Sequence, residues 1–190
     1  MDIERVKEAI NTYVDLTAAE WDTLMGYLKV VSLKRNEYFL RAGQVCSSIA
    51  LVGQGALVYY KLHESGKELT TDFALEGDWI ADNRSRISQT PSLINIKAIE
   101  DCQLLTITNE NLNKCYAQIP KLERLGRLLI EQAFVRIAQQ SIDLQTLSSS
   151  QRYQKLLSEH PEVFQRIPLY HIANYLGIAP KSLSRIRGKG

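Results

Sequence analysis

The chain has 190 residues, of which 45% are hydrophobic and 23% are charged, a composition typical of a globular protein. It has no run of about eighteen apolar residues, and its first residues are charged rather than apolar, so we predict neither a membrane span nor a secretory signal. Its cysteines, Cys46, Cys102 and Cys115, form neither a disulfide framework nor a metal-ligand pattern, so we expect a cytoplasmic protein with free thiols and no metal site.

The formal net charge of +2 is unevenly distributed. Residues 166–190 contain five basic side chains and no acid, which leaves a net charge of −3 for residues 1–165. A basic end on a mildly acidic chain suggests a polyanionic partner. A solvated basic tail would give the same count, so the pattern of the other residues must decide between the two.

Two helices are predicted at the start of the chain, over residues 2–14 and 17–29. Thr17 followed three residues later by Glu20 is a capping box, in which each side chain bonds the other residue's exposed backbone amide. Apolar residues at helical spacing follow this capping box in the second helix, and we interpret them as part of the core.

Short β-rich runs separated by glycines occupy residues 30 to 108. The polar segment 63–67 contains Gly66 where a positive φ is needed, which predicts a hairpin. Many short strands at regular spacing indicate a closed or rolled antiparallel structure. The predicted strands are 30–33, 38–40, 48–52, 56–60, 69–73, 94–98 and 103–107.

A long helix is predicted from Pro120 to about Leu147, since proline suits the first turn of a helix. Between Leu128 and Ala138 apolar residues cover nearly the whole circumference of this helix, so it must be buried on more than one side. Two arrangements satisfy that demand. One side covers the strands and another a second copy of the chain, or the helix is buried wholly within one chain.

The last part of the chain predicts short helices. A break at residues 148–150 precedes a helix over 151–160, and residues 167–187 contain two further helices separated by Gly177. Ala173 is small where two helices cross, and Gly177 can take the left-handed conformation that ends the first of them. This spacing is typical of a helix-turn-helix, although an ordinary helical hairpin with a basic surface remains the alternative.

The second helix of this pair presents polar side chains outward if its apolar residues face the core. Arg185 is predicted to make a bidentate contact to guanine, and Lys181 to contact a base or a phosphate. Ser182, Arg187 and Lys189 are predicted to contact phosphates, which position the protein on a duplex without reading its sequence.

With its elements in this order, the chain resembles the Crp/Fnr family, the cyclic-AMP receptor protein and fumarate–nitrate regulator family. The resemblance runs from about residue 16 to 187 and is most specific in segments 49–57, 66–68 and 76–80 and in the helix-turn-helix. It implies an α+β fold: an N-terminal antiparallel β-roll flanked by helices, like the double-stranded jelly roll of cyclic-nucleotide-binding domains, then a long central dimerisation helix and a C-terminal helix-turn-helix. The corresponding domains are 1–119, a β-roll sensor domain, 120–147, the dimerisation helix, and 148–190, the DNA-binding domain.

The resemblance also implies a function. We expect a homodimer, joined through the central helix, that binds double-stranded DNA sequence-specifically and regulates transcription, with RNA polymerase as a further partner. No nucleophile elbow, P-loop or zinc-protease motif is present, so we do not expect an enzyme. The alternative is a β-roll signalling module that binds a small molecule and has little or no DNA binding.

The segment matching the family's phosphate-binding cassette departs from its pattern. Counting from Gly77, the pair that would hold the ribose falls on Ala81 and Asp82, and the pair that would hold the cyclic phosphate falls on Ser92 and Leu93, so no arginine is present at the phosphate position. On the central helix, the polar pair that contacts the base falls on the apolar residues 137 and 138. A buried phosphate without its arginine lacks the charge-assisted bonds that offset its desolvation, so we predict no tight binding of cyclic AMP.

The same region offers groups for another effector, an anion or an acidic metabolite, or else it is a solvated polar loop. No cofactor is expected. No cysteine precedes Cys46, so an N-terminal iron–sulfur cluster is not indicated, and the histidines His63, His160 and His171 form no evident haem site. The candidate effector-binding residues are Asp82, Asn83, Arg84, Arg86 and Ser92, with Ser88 nearby.

Overall fold

Residues 3–188 are described by a computed structural model. Eight strands form two four-stranded antiparallel sheets, in the orders β1-β8-β3-β6 and β2-β7-β4-β5. The strands are β1 Lys29–Leu33, β2 Tyr38–Leu40, β3 Ser48–Gln54, β4 Leu57–Leu62, β5 Glu68–Ala74, β6 Trp79–Ile80, β7 Asn95–Ala98 and β8 Cys102–Thr108. The predicted antiparallel β-roll is confirmed.

Helices precede, interrupt and follow the roll. They are α1 Ile3–Asn11, α2 Ala18–Tyr27, α3 Asn83–Ser88, α4 Asn109–Gln118, α5 Pro120–Thr146, α6 Ser149–Glu159, α7 Val163–Arg166, α8 Leu169–Tyr175 and α9 Pro180–Arg187. Both halves of the predicted capping box form, since the Glu20 amide donates to the Thr17 hydroxyl and the Thr17 amide donates to the Glu20 carboxylate. Within residues 3–188, no helix combines the length and the apolar character needed to cross a membrane.

Three layers of apolar packing hold these elements together. Between the sheets lie Leu57, Ile80, Ile96 and Leu104, all fully buried. Helices α1, α2, α4 and the start of α5 cover the outer face of the first sheet. The C-terminal helices cover part of the outer face of the second sheet, so one apolar cluster joins them to the roll.

Of the two interpretations of the segment after Trp79, an effector site or a solvated polar loop, the loop is wrong for residues 83–88, which form helix α3. Asp82 accepts a hydrogen bond from the amide of Ser85 and so caps α3. This N-cap hydrogen bond favours a helix here, although the segment has no apolar residues at helical spacing. The predictions also did not include β6, α4 or α7.

The hairpin and the terminal turn form as predicted. Gly66 has a φ of +77° in the turn between β4 and β5, and Gly177 has a φ of +67° between α8 and α9. An L-residue with a Cβ is strained in this left-handed region, whereas glycine enters it at little cost. Both glycines therefore set the direction of the chain at the points where the sequence placed a turn.

Candidate nucleic-acid interface

The terminal pair of helices is built on an apolar contact. Ala173 of α8 is fully buried, and Leu183 of α9 is only 1% exposed. The amide of Ile178 donates to the carbonyl of Ala173, which closes the turn. Ala179 makes no side-chain cap for α9, but Pro180 fills its first turn, where the missing amide is not needed.

Arg152 of α6 fastens the turn from behind. Its guanidinium donates to the carbonyl of Leu176 from Nε at 3.0 Å and from Nη2 at 2.9 Å, and to the carbonyl of Leu147 from Nη1. These carbonyls end α8 and α5, respectively, and a helix end leaves its carbonyls without helical partners. One side chain thus joins the end of the long helix to the helix-turn-helix.

The buried face of α9 leaves its charged residues in solvent. Lys181, Arg185 and Arg187 are exposed, and Ser182 is half-buried. Within residues 3–188, none of the three cations forms an ion pair. Lys189, the fifth predicted DNA-contacting residue, lies outside the described residues. The arrangement presents positive charge on one side of a helix whose other side is held rigidly.

The helix pair is docked on the second sheet through α8. His171 of α8 is 1% exposed, and its Nδ1 lies 2.6 Å from the hydroxyl of Thr70 on β5. Burial, with a smaller effect from the charge of Lys97, lowers the pKa of His171 to about 4. The imidazole is therefore neutral at pH 7 and serves as a hydrogen-bonding part of the interface.

A second polar contact flanks this one. Arg166 of α7 donates to both Glu100 and Glu76 of the roll, with Nη2 2.6 Å from Glu100 Oε2 and 2.9 Å from Glu76 Oε1. The hydrogen bonds to Glu100 and Glu76 and the charges of these carboxylates raise the pKa of Arg166. Burial alone would raise the pKa of Glu76, but the bonds from Arg166 and from the amide of Gly55 lower it overall. A forked cation between two partly buried acids fixes orientation as well as distance.

Two further contacts complete the docking surface. The rings of Phe73 and Tyr175 lie with their centroids 4.8 Å apart, and the side-chain amide of Asn174 donates to the carbonyl of Glu68 at 2.7 Å. Sequence reasoning gave no sign of this interface, because its partners lie about 60 to 110 positions apart in the chain.

One side of the distal half of α5 is left open by the rest of the described chain, residues 3–188. Leu122 and Leu125 are buried against the roll, whereas Phe134 is 72% exposed. The alternative that this helix is buried wholly within one chain is therefore wrong. The other large apolar residues exposed along it are Ile130, Val135, Ile137, Ile142 and Leu144.

The segment from Asp82 to Ser92, which we call the cassette segment, closes on itself. Asp82 Oδ1 accepts from the amide of Ser85, and its Oδ2 accepts from the hydroxyl of Ser92 at 2.8 Å. The Ser85 hydroxyl donates to the carbonyl of Thr90 and accepts from the amide of Cys46. Asp82, Ser85 and Ser92 are all buried. The hydrogen bonds just described are the partners of their side-chain polar groups.

The remaining candidate effector-binding residues also bond within the cassette segment. Arg84 donates to the carbonyl of Pro91 at 2.7 Å and to the hydroxyl of Thr90 at 3.3 Å. The Nε of Arg86 donates to the side chain of Asn83, while Ser88 bonds Thr90. Of the five predicted residues, Asn83 and Arg86 line a cavity beneath α5.

That cavity, of about 660 Å³, lies between the roll, the distal half of α5 and the C-terminal helices. Arg136 of α5 reaches across it to Asp72 of β5, with Nη2 and Oδ2 2.9 Å apart. Burial raises the pKa of Asp72 and of Asp78, both of which line the wall. The buried indole N–H of Trp79, on the same wall, has no hydrogen-bond partner in the described part of the chain.

Comparisons with known proteins agree with this architecture. Residues 30–119 match the cyclic nucleotide-binding domain family. The chain is 25% identical over 165 residues to the transcriptional activator protein Anr of Pseudomonas protegens, covering 81% of this chain and 67% of that protein. It thus spans about two thirds of the length of this relative.

Two solved structures share the fold. The structure of FixK2 from Bradyrhizobium japonicum is 18% identical, with a TM-score of 0.74 over 85% of this chain and 83% of that one. A putative transcriptional regulator of the Crp/Fnr family from Eubacterium rectale is 20% identical, with a TM-score of 0.67 over 90% and 82%. The domain match and the relatives support a likeness to the Crp/Fnr family of transcription regulators, whose fold this chain shares with the two solved structures.

Proposed function

We propose that this protein is a homodimeric transcription regulator that binds DNA sequence-specifically through α9. The observation that carries the proposal is the set of exposed cations Lys181, Arg185 and Arg187, on a helix whose apolar face is packed against α8. A recognition helix needs this combination, because it must enter the major groove with charged side chains free and its axis fixed. The name of the relative Anr, a transcriptional activator, supports the same role.

Within this proposal the predicted DNA-contacting residues have different tasks. Arg185 reads a guanine through two parallel hydrogen bonds, which discriminates against another base by about 1–3 kcal/mol. Lys181 contacts a base or phosphate near the start of the helix. Ser182, Arg187 and Lys189 hold phosphates and set the register. RNA polymerase is the expected further partner of the complex on DNA.

The second copy of the chain covers the apolar stripe on α5. Ile130, Phe134 and Ile137 are large, exposed and spaced so that they share one side of the helix, and monomeric proteins rarely leave such a patch in water. Pairing two long helices along it produces a two-fold dimer with two recognition helices. Such a dimer reads half-sites about one helical turn, roughly 34–36 Å, apart.

The dimer is tested with Phe134→Asp, which places a charge in the proposed interface. We expect at least about a hundredfold weaker self-association, the size of effect seen at the centre of an interface. Ile87→Asp is the matched control, because Ile87 is as exposed as Phe134 but lies on α3. Sedimentation equilibrium that shows equal self-association for both variants would contradict pairing along α5.

The cavity beneath α5 is the candidate effector site. A ligand there touches the roll, the long helix and the C-terminal helices, so it can favour one arrangement of the three over another. Cyclic AMP is not the expected ligand, because the groups of the cassette segment bond one another and the position that would hold the cyclic phosphate is Ser92 rather than an arginine. Titration calorimetry with cyclic AMP is expected to show no micromolar binding.

The DNA-binding proposal is tested by selecting duplexes from a random pool at moderate salt. We expect a two-fold-symmetric site with a guanine in each half. Arg185→Ala is then expected to weaken binding by about 1–3 kcal/mol and to relax the preference at that guanine. The control is Arg124→Ala, which removes an exposed arginine from α5. Failure to enrich any sequence would favour the alternative, a β-roll module with little or no DNA binding.

A further inference from the structure

The cavity beneath α5 has an acidic wall. Asp72 lies on β5, and Asp78 lies in the turn that follows this strand, where its Oδ2 accepts a hydrogen bond from the amide of Leu75 at 2.8 Å. Glu159, the last residue of α6, lines the same cavity. Within residues 3–188, neither Asp78 nor Glu159 forms an ion pair. We call Asp72, Asp78 and Glu159 the cavity acids.

Most cations on the cavity wall are bonded to other groups. Arg152 donates to backbone carbonyls, as described above, and Lys155 pairs with Asp143. Arg86, on the side of the cavity formed by α3, donates from Nε to the side chain of Asn83. In the described part of the chain, Arg136 alone forms an ion pair with a cavity acid. The cavity acids therefore carry more charge than their direct partners neutralise.

The ion pair between Arg136 and Asp72 has one exchangeable member. The side chain of Arg136 is 58% exposed, whereas that of Asp72 is 28% exposed. The guanidinium can therefore move into water at little cost, since it is already largely solvated. The carboxylate cannot lose its cation as easily, because a poorly solvated charge without a partner is costly. Asp72 is thus a fixed anion whose partner can be replaced by another cation.

Aromatic side chains form another part of the same wall. Tyr59, Phe73, Trp79 and Tyr175 all line the cavity. The face of an aromatic ring attracts a cation, so these rings suit the same kind of ligand as the carboxylates do. Burial raises the pKa of Tyr175 to about 12, so its phenol keeps its proton at pH 7. In the described chain, neither the Tyr175 hydroxyl nor the buried indole N–H of Trp79 has a hydrogen-bond partner.

We propose that this cavity binds a small organic cation, an amine whose ammonium group bonds the cavity acids and takes the place of Arg136 at Asp72. An anion at the same place would lie against like charges, which costs binding free energy. The apolar body of the ligand packs on the aromatic rings, and a hydroxyl group on it can bond a wall group such as the Tyr175 phenol. This inference rests on the proposed function where that makes the cavity the effector site, and it names the class of the effector.

Replacing Arg136 at Asp72 changes how α5 is joined to the roll. The ion pair is a direct bond between α5 and β5, and β5 also bonds α8 through Thr70 and His171. A cation that takes the place of the guanidinium therefore loosens the long helix from the strand on which the helix-turn-helix is docked. A ligand that binds better to one arrangement of these elements shifts the population toward it.

The experiment uses three probes of one shape and different charge. Tyramine, tyrosol and phloretate share a hydroxyphenyl-ethyl body and end in an ammonium, a hydroxyl and a carboxylate group, respectively. The full chain is titrated with each of them by calorimetry at pH 7. Tyramine is expected to bind with a millimolar or lower dissociation constant, and tyrosol at least about tenfold more weakly, as loss of a charged hydrogen bond predicts. Absence of tyramine binding, or equal binding of tyramine and phloretate, would overturn the proposal.

Two variants test which groups hold the ammonium. Asp78→Asn, whose amide oxygen can still accept from Leu75, is expected to bind tyramine about tenfold to a hundredfold more weakly and tyrosol as before. The control is Asp22→Asn, which removes an exposed acid from α2 and should bind tyramine like wild type. Arg136→Gln is expected to bind tyramine more tightly, because the guanidinium no longer competes for Asp72.

The contrary results are equally specific. Wild-type tyramine binding by Asp78→Asn, or an equal loss of tyramine and tyrosol, would contradict a charged contact there. Unchanged or weaker tyramine binding by Arg136→Gln would contradict the exchange at Asp72. Thermal unfolding checks that each variant is folded.

All these titrations are made without DNA, so the two proposals can fail separately. If tyramine binds as expected but no duplex is selected, DNA binding is wrong and the cation site stands. If a duplex is selected but tyramine does not bind, the cation site is wrong and DNA binding stands.

Discussion

The cassette segment and α9 are both short polar helical regions, but they treat their polar groups in opposite ways. In the cassette segment, Asp82, Ser85 and Ser92 are buried and bonded to one another or to nearby backbone. In α9, Lys181 and Arg185 extend into solvent, and within residues 3–188 neither forms an ion pair. The first region uses its polar groups to hold its own shape, whereas the second leaves them free.

This difference determines at which of the two regions a ligand can bind with a favourable free energy. A ligand at Asp82 or Ser92 must first replace existing buried hydrogen bonds, and a buried group left without a partner costs about 1–3 kcal/mol. A phosphate approaching Lys181 or Arg185 displaces only water and counterions, whose release favours binding. From residue type alone, both regions would be equally good candidates for ligand binding. They differ in whether their polar side chains already have hydrogen-bond partners.

The largest effect is expected where α9 is buried rather than where it is charged. Leu183→Ala should lower the free energy of unfolding by about 3 kcal/mol, because it removes a side chain that is 1% exposed and leaves a cavity. Leu62→Ala is the matched control, since Leu62 is 53% exposed, and its effect should stay within about 0.5 kcal/mol. Chemical denaturation that gives equal values for the two would show that α9 is not anchored as described.

The next effect concerns the interface between the helix pair and the roll, through the pH dependence of stability. His171 has a pKa of about 4 in the folded protein, against an ordinary pKa of 6.5, so the unfolded chain binds more protons between these values. Stability from this group is full above about pH 6.5 and is lost as the pH falls toward 4. The loss should reach about 2 kcal/mol at pH 5 relative to pH 7.

His171→Gln is the control for this titration, because an amide can still bond Thr70 but does not titrate. The raised pKa values of Asp72 and Asp78 act in the opposite direction, since they favour the folded state on acidification in both proteins. The comparison of the two curves therefore isolates the histidine. Parallel curves for wild type and His171→Gln between pH 7 and pH 5 would mean that the imidazole is not buried as a neutral group.

A smaller effect is expected from the cassette segment. Asp82→Ala removes the cap of α3 and the acceptor for Ser92, which should cost about 1.5 kcal/mol. Asp82→Asn can still cap the helix and should recover most of that loss. Neither change should alter which DNA sequence is preferred. Thermal unfolding and the duplex titration check these points, and a change in sequence preference would contradict the separation of the two regions.

How much of this could be foreseen depended on the range of the interactions. Some features are set by residues within a few positions of one another, so the sequence predicts them. These are the capping box at Thr17, the hairpin at Gly66 and the turn at Gly177. Helix α3 was missed because its residues have no apolar period and its start depends on Asp82. The fork from Arg166 to Glu76 joins residues 90 positions apart, and no local pattern indicates such a contact.

The same holds for the candidate sites: features set by nearby residues could be predicted, and features that join distant residues could not. The exposure of Lys181 and Arg185 could be predicted, because Leu183 and Ile186 mark the buried side of a short helix. The cavity under α5 could not, since its walls come from strands and helices spread along most of the chain. Likewise, only the fold shows that Asp82 and Ser92, two predicted effector ligands, bond each other.

The contact between α9 and a duplex is central to the proposed function, and lysine acylation measures that contact directly. The acylation rate of each lysine is followed by mass spectrometry on the free protein and on protein saturated with the selected duplex. Lys181 is expected to react far more slowly in the complex, while Lys29, exposed on β1, reacts at an unchanged rate. Equal acylation of Lys181 in the free and the fully bound protein would contradict a recognition role for this helix.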